Sequence, residues 1–114
     1  MAYTITGQLP ASLQGRVHHW RESAMRQLKA QGITRMRWAR PVRISMNYWP
    51  ADSRPRLTVD QAKAVFQVLY RLGVVRTMTQ FMKHSFATHE VDPWQPRVEF
   101  EIHAYWPGDL YTKE

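Results

Sequence analysis

The sequence predicts an α+β domain with element order β-α-β-α-β-β, a mixed sheet with two helices packed on one face. Three observations carry this prediction. Two segments, within 13–30 and 58–72, place apolar residues at helical spacing. Residues 42–49 alternate strictly between apolar and polar. A second alternating segment, 97–106, follows the turn-rich "DPWQP". Each element is apolar on one side only, so a layer of helices against one sheet face is the simplest way to bury both.

The first strand is expected in "YTITGQ", Tyr3 to Gln8, with Pro10 beyond it. A helix is expected within Leu13–Ala30, with Leu13, Val17, Trp20, Ala24 and Leu28 near one face and Gly32 as its stop. "TRMRWARP" then forms a basic connector. In "VRISMNYW", Val42, Ile44, Met46 and Tyr48 point one way and Arg43, Ser45, Asn47 and Trp49 the other, until Pro50 ends the strand. Thr58 to Gln61 reads as a capping box. Ala62, Val65, Phe66, Leu69 and Leu72 form the apolar face of the helix that follows, and Gly73 supplies its C′ stop. The last strands are expected at about Thr79–His89 and Arg97–Trp106.

At 114 residues the chain has the length of one domain. It has no cysteine, which excludes disulfides and thiolate chemistry and fits a reducing cytoplasm. "MAYTITGQLP" shows no secretory signal, and no apolar run reaches a membrane span, so a soluble cytoplasmic protein is expected. Net charge is +7 and uneven: residues 1–89 hold 14 Lys and Arg against three acids, and residues 90–114 hold two against six. A long basic region with a short acidic tail points to a polyanion partner or an acidic protein surface.

Candidate phosphate-tracking residues are Arg54 and Arg56 in "DSRPR", Lys63 one turn into the second helix and Arg71 beyond it. Arg16 and Arg21 on the first helix, and Arg76 and Lys83 downstream, extend this set. An ordinary solvated helix face is the competing reading. Asp52 and Asp60 are a conceivable Mg²⁺ pair, but their spacing is no metal-ligand motif. The five histidines form no ligand set: His18 and His19 diverge on a helix, and His84 and His89 face opposite sides of a strand. Neither a metal nor another cofactor is expected. Trp20 fits the core, while Trp38, Trp49, Trp94 and Trp106 fall at connectors or element ends, suited to base stacking, a dimer interface or core-edge packing.

These segments carry a family likeness. The chain resembles the RusA-type Holliday-junction resolvases of phages and prophages across nearly its whole length, through "ITGQLPASLQGRVHHWR", "PVRISMNYWPADSRPR", "DQAKAVFQVLYRLGVV" and "PRVEFEIHAY". The resemblance implies a RusA-like fold, a homodimer and a DNA partner. Lys63, Arg56 and Phe66 match the family's lysine, arginine and helix phenylalanine. Phe66 and Trp49 become candidates for stacking on bases or wedging between them. The family's D-x-D-N falls on Leu57, Thr58, Val59 and Asp60, and its second acidic pair on Thr77 and Met78. Leu57, Val59 and Met78 offer no side-chain oxygen to a metal, and Thr77 is a neutral substitute, so metal-dependent phosphodiester hydrolysis should be lost. The leading expectation is a nuclease-dead RusA-like protein binding duplex or branched DNA. The alternatives are a phage effector that binds and inhibits a host or phage protein, and an endonuclease rebuilt around Asp52, Asp60, Glu90 or Asp92.

Overall fold

The computed structural model describes residues 2–10, 17–52 and 59–105, apart from the side chains of Val59 and Asp60. The described residues form β1 (Tyr3–Thr6), α1 (Val17–Ala30), β2 (Val42–Trp49), α2 (Val59–Arg71), β3 (Phe81–Thr88) and β4 (Arg97–Ala104), with 3₁₀ turns at Ile33–Arg35 and Met78–Gln80. The α+β order is the expected one. The sheet runs β1-β4-β2-β3. β4 is antiparallel to both β1 and β2, while β2 and β3 are parallel. A parallel pair cannot be joined by a hairpin, and α2 makes the crossover between them.

One sheet face is buried. Tyr3, Ile5, Val42, Ile44, Met46, Tyr48, Val98, Phe100 and Ile102 lie in a single apolar cluster with Ala24 and Leu28 of α1 and Val65, Phe66, Val68 and Leu69 of α2. Each large apolar side chain so buried contributes roughly 1.5–3 kcal/mol. The opposite face, with Arg43, Ser45, Asn47, Glu99, Glu101 and His103, is left half-buried or exposed. Tyr48 is fully buried, and its hydroxyl accepts the Leu9 N–H at 3.2 Å. Burial pushes this phenol above its usual pKa, against the opposing effect of the Leu9 bond.

Boundaries differ from the sequence expectations for local reasons. β1 stops at Thr6 because Gly7 turns away at φ 107° and donates its N–H to Pro96 O. β3 begins at Phe81, since residues 78–80 coil into a 3₁₀ turn capped by Thr77 and Gln80. β4 ends at Ala104, where the Tyr105 N–H bonds Pro41 O. Trp20 packs at the margin of the core, half-buried, and its indole N–H has no partner. Leu13, Thr58 and Trp106 lie outside the described residues, and with Thr58 the expected capping box.

The two edge strands are treated differently. On β1, Gln31 brackets the Thr4 backbone with bonds of 2.8 and 2.6 Å, and Gln27 accepts the Thr6 N–H at 2.8 Å. These α1 amides satisfy an edge that would otherwise template another strand. Between Met82 and Ala87, β3 has no comparable cover among the described residues.

α2 ends in a Schellman motif. Gly73 N–H bonds Tyr70 O, Val74 N–H bonds Leu69 O, and Gly73 sits at φ 78°. A Cβ there would lie 2.7 Å from Arg37 Nη1. Gly73→Ala is therefore expected to lose about 1–2 kcal/mol from the left-handed backbone alone, measurable as a lower urea midpoint at unchanged m-value.

Candidate nucleic-acid interface

Two stretches of the sequence, 23–51 and 61–89, contain no aspartate or glutamate and carry ten Lys and Arg between them. The fold brings parts of both together at the end of the sheet where β2 and β3 begin. The connector before β2 runs beside the loop after α2: Trp38 and Val75 form a parallel bridge, and the Trp38 N–H bonds Val74 O at 2.7 Å. Arg37 Nη1 donates to Gly73 O at 3.3 Å. A groove of about 300 Å³ lies between them, lined by Arg37, Trp38, Ala39, Gly73, Val75 and Arg76.

One side chain locks the two walls. Gln80 is 9% exposed, and its Oε1 accepts the N–H groups of Arg76 at 2.7 Å and Thr77 at 3.0 Å. Its Nε2 donates to Trp38 O at 2.8 Å and Arg40 O at 2.9 Å. Gln80 thus fixes the backbones of Arg40 and Arg76 relative to each other without using any arginine side chain.

A bulge adds the third part. Val42 pairs with Phe81 but Arg43 pairs with Lys83, so Met82 is an extra residue in β3. Simple alternation would put Lys83 on the same face as Phe81. The bulge instead turns Lys83 to the open face beside Arg43, the re-aiming that bulges produce. Arg37, Arg40, Arg43, Arg71, Arg76 and Lys83 therefore share one end of the molecule. No ion pair involves Arg43, Arg71, Arg76 or Lys83 among the described residues.

The sequence-derived set does not form one cleft. Arg71 and Arg76 are at the far end of α2 from its N-terminus, and a helix of this length spans about 18 Å. Lys63 is exposed on the α2 surface, and Arg21 donates to Gln67 Oε1 at 3.2 Å, joining the helices. Arg16, Arg54, Arg56 and Leu57 lie outside the described residues. Reading the sequence overlooked Arg37, Arg40 and Arg43. The signal was present in the arginine density of "RMRWARPVR", but only pairing with Val74 and Val75 gives it a place.

The stacking candidates are occupied within the fold. Phe66 is buried and stacks on Phe81, centroids 4.4 Å apart. Trp49 stacks on His89 at 4.4 Å, and Arg97 of the neighbouring strand lies 4.2 Å from its ring centroid. His89 is tied to Asn47 at 2.8 Å, and Arg97 bonds Asp92 and Glu99 at 3.0 Å each. This cluster secures the opposite end of the open face. The Gln95 N–H holds the Asp92 carboxyl below its usual pKa, against the opposing effect of burial and with further help from Arg97 and the Trp94 N–H. Asp92 is accordingly engaged in structure.

Thr77 and Met78, which the resemblance sets at the resolvases' second acidic pair, are also committed. Thr77 caps the 3₁₀ turn and its hydroxyl lies 2.9 Å from that of Thr79, while Met78 packs against the core. Among the described residues no three His, Asp or Glu side chains converge as a metal site would require. No helix of the described residues is long and apolar enough to cross a membrane. No family model matches the chain, and no curated protein does.

Gln80→Leu would leave two N–H groups and two carbonyls without their partner. It is expected to lower stability by about 2–4 kcal/mol in chemical denaturation and to accelerate amide exchange at Arg76 and Thr77.

Proposed function

We propose that the protein binds DNA through its phosphate backbone, as a nuclease-dead member of the RusA-like resolvase type acting in the cytoplasm. The convergence of Arg37, Arg40, Arg43, Arg71, Arg76 and Lys83 at one end of the sheet carries this reading, because the two stretches that supply these cations contain no acid. Such a surface attracts polyanions over long range and releases counterions on contact. Its backbone is fixed by Gln80 before any ligand arrives, which reduces the ordering cost of binding. The positions where the resolvases carry metal-binding acids support the non-hydrolytic part. Thr77 and Met78 serve a turn and the core, and Val59 is a hydrocarbon side chain.

A second reading, a protein-binding role, is favoured by the uncovered edge of β3, with Met82 57% exposed. Of the occupants, a second copy fits best. Antiparallel pairing of two β3 strands centred on Ser85 opposes His84 to the partner's Phe86 and Lys83 to the partner's Ala87, with no like charges facing. A homodimer of this kind extends the sheet and carries two basic ends related by a two-fold axis, suited to duplex or branched DNA. A host or phage protein adding a strand there is the competing occupant.

Log affinity for a duplex should fall linearly with log salt, with a slope of about −4 for four to five neutralised phosphates, and Arg37→Gln or Arg76→Gln should each reduce the slope by about 1. Absence of binding to junction, duplex and single-stranded DNA at low salt would refute the reading. Sedimentation equilibrium is expected to give twice the 13.5 kDa chain mass. Ala87→Lys, which sets a lysine opposite the partner's Lys83, should weaken the dimer about tenfold; a monomeric native protein sinks the strand-pairing scheme.

A further inference from the structure

On the open face, Arg43 is the cross-strand neighbour of Lys83 on one side and of His103 on the other. Like charges placed directly opposite destabilise a sheet. Here the arrangement is imposed by the Met82 bulge, without which Lys83 would face the other way. The next row supplies hydroxyls: Ser45 and Ser85 are paired, with their Oγ atoms 3.3 Å apart. Arg43, Ser45, Lys83, Ser85 and His103 line a depression of about 50 Å³. Among the described residues the carboxylate at its margin is Glu101, held by His103 at 3.1 Å.

We propose that this depression is a seat for a single phosphate group, bound by the Arg43 guanidinium and the Lys83 ammonium with hydroxyl donation from the two serines. A guanidinium offers a planar fork to two phosphate oxygens, and an ammonium adds a point charge. The depression has room for a group larger than one water, as a single phosphate is. Phosphate also explains the like-charge pair: an anion between Arg43 and Lys83 turns a repulsive contact into two attractive ones. The seat stands on the geometry of β2 and β3 alone. Its role as one contact of a DNA strand rests on the proposed function.

The test uses the full-length chain with two probes, inorganic phosphate and a duplex oligonucleotide. Thermal unfolding is followed in sodium phosphate and in sodium chloride at matched ionic strength. Phosphate should raise the midpoint above the chloride value, and Lys83→Gln should abolish that difference. In phosphate-free buffer at low salt, Lys83→Gln should unfold no earlier than the native chain, because the substitution removes repulsion. Arg43→Lys, which keeps the charge but not the fork, should retain part of the phosphate effect. Equal midpoints in phosphate and chloride, or a phosphate effect undiminished in Lys83→Gln, would overturn the seat. For the strand contact, Lys83→Gln should weaken duplex binding by about tenfold, the loss of one charge-assisted hydrogen bond. Phosphate stabilisation without any duplex binding by the native chain would uphold the seat and overturn the DNA reading. Duplex binding without phosphate stabilisation would do the reverse.

Discussion

The inner face of β2 is the constraint on which the rest of the molecule depends. Val42, Ile44, Met46 and Tyr48 are each 2% exposed or less, and both helices contribute to the cluster that covers them. Because a strand alternates with a period of two, burying these four fixes Arg43, Ser45, Asn47 and Trp49 on the open face. The register with β4 then sets His103, Glu101 and Glu99 beside them in turn, and the register with β3 sets Lys83, Ser85 and Ala87 on the other flank. A slip of one residue would send every charged group of the open face into the core. The chemistry of that face is therefore secured by hydrophobic burial on the reverse side, not by contacts among the charged groups themselves.

Much of this was legible in the sequence because it rests on local periodicity. The apolar face of α2, its glycine stop and the alternation of β2 and β4 each follow from a dozen residues or fewer, and each appears in the structure. What was not legible depends on partners distant in the chain. Gln80 looks like any polar residue ahead of a strand until Trp38 and Arg40 are brought beside it. The Met82 bulge leaves no trace in "FMKHSFAT", since it is defined only by pairing with Val42 and Arg43. Trp49 suggested an exposed stacking ring, but the residues that cover it, His89 and Arg97, lie 40 and 48 positions downstream. The grouping of the cations was not legible for the same reason: spacing along α2 sets Lys63 with Arg71, whereas the fold brings the loop after α2 beside the connector ahead of β2.

The two ends of the open face illustrate opposite treatments of charge. At the Trp49 end, Arg97 is neutralised by Asp92 and Glu99 and laid against an indole, so its charge is consumed within the fold. At the Arg43 end, cations are juxtaposed, and among the described residues Glu101, held by His103, is the carboxylate beside them. Surface ion pairs contribute little to stability, commonly below about 1 kcal/mol, so the fold gains only modestly from the first arrangement and loses modestly from the second. Differences of that size are small against the core. They are nonetheless sufficient to bias where a polyanion settles, because each cation already paired with a carboxylate is unavailable to a phosphate.

This asymmetry also bears on the missing carboxylates. In a metal-dependent nuclease, acidic ligands lower the positive potential of the cleft, and the bound divalent ion restores it. On the proposed likeness to the resolvases, Leu57, Val59, Thr77 and Met78 stand at those positions and supply no carboxylate there. On the proposed function, the basic end of the sheet would hold phosphate by its own fixed charges, without a bound metal. The fixed backbones of Arg40 and Arg76 at Gln80, and the facing of Lys83 set by the bulge, suit that mode, because less of the chain has to be ordered on binding. Affinity so obtained should depend steeply on salt and not on divalent metal, which separates this mode of binding from that of a metal-loaded nuclease.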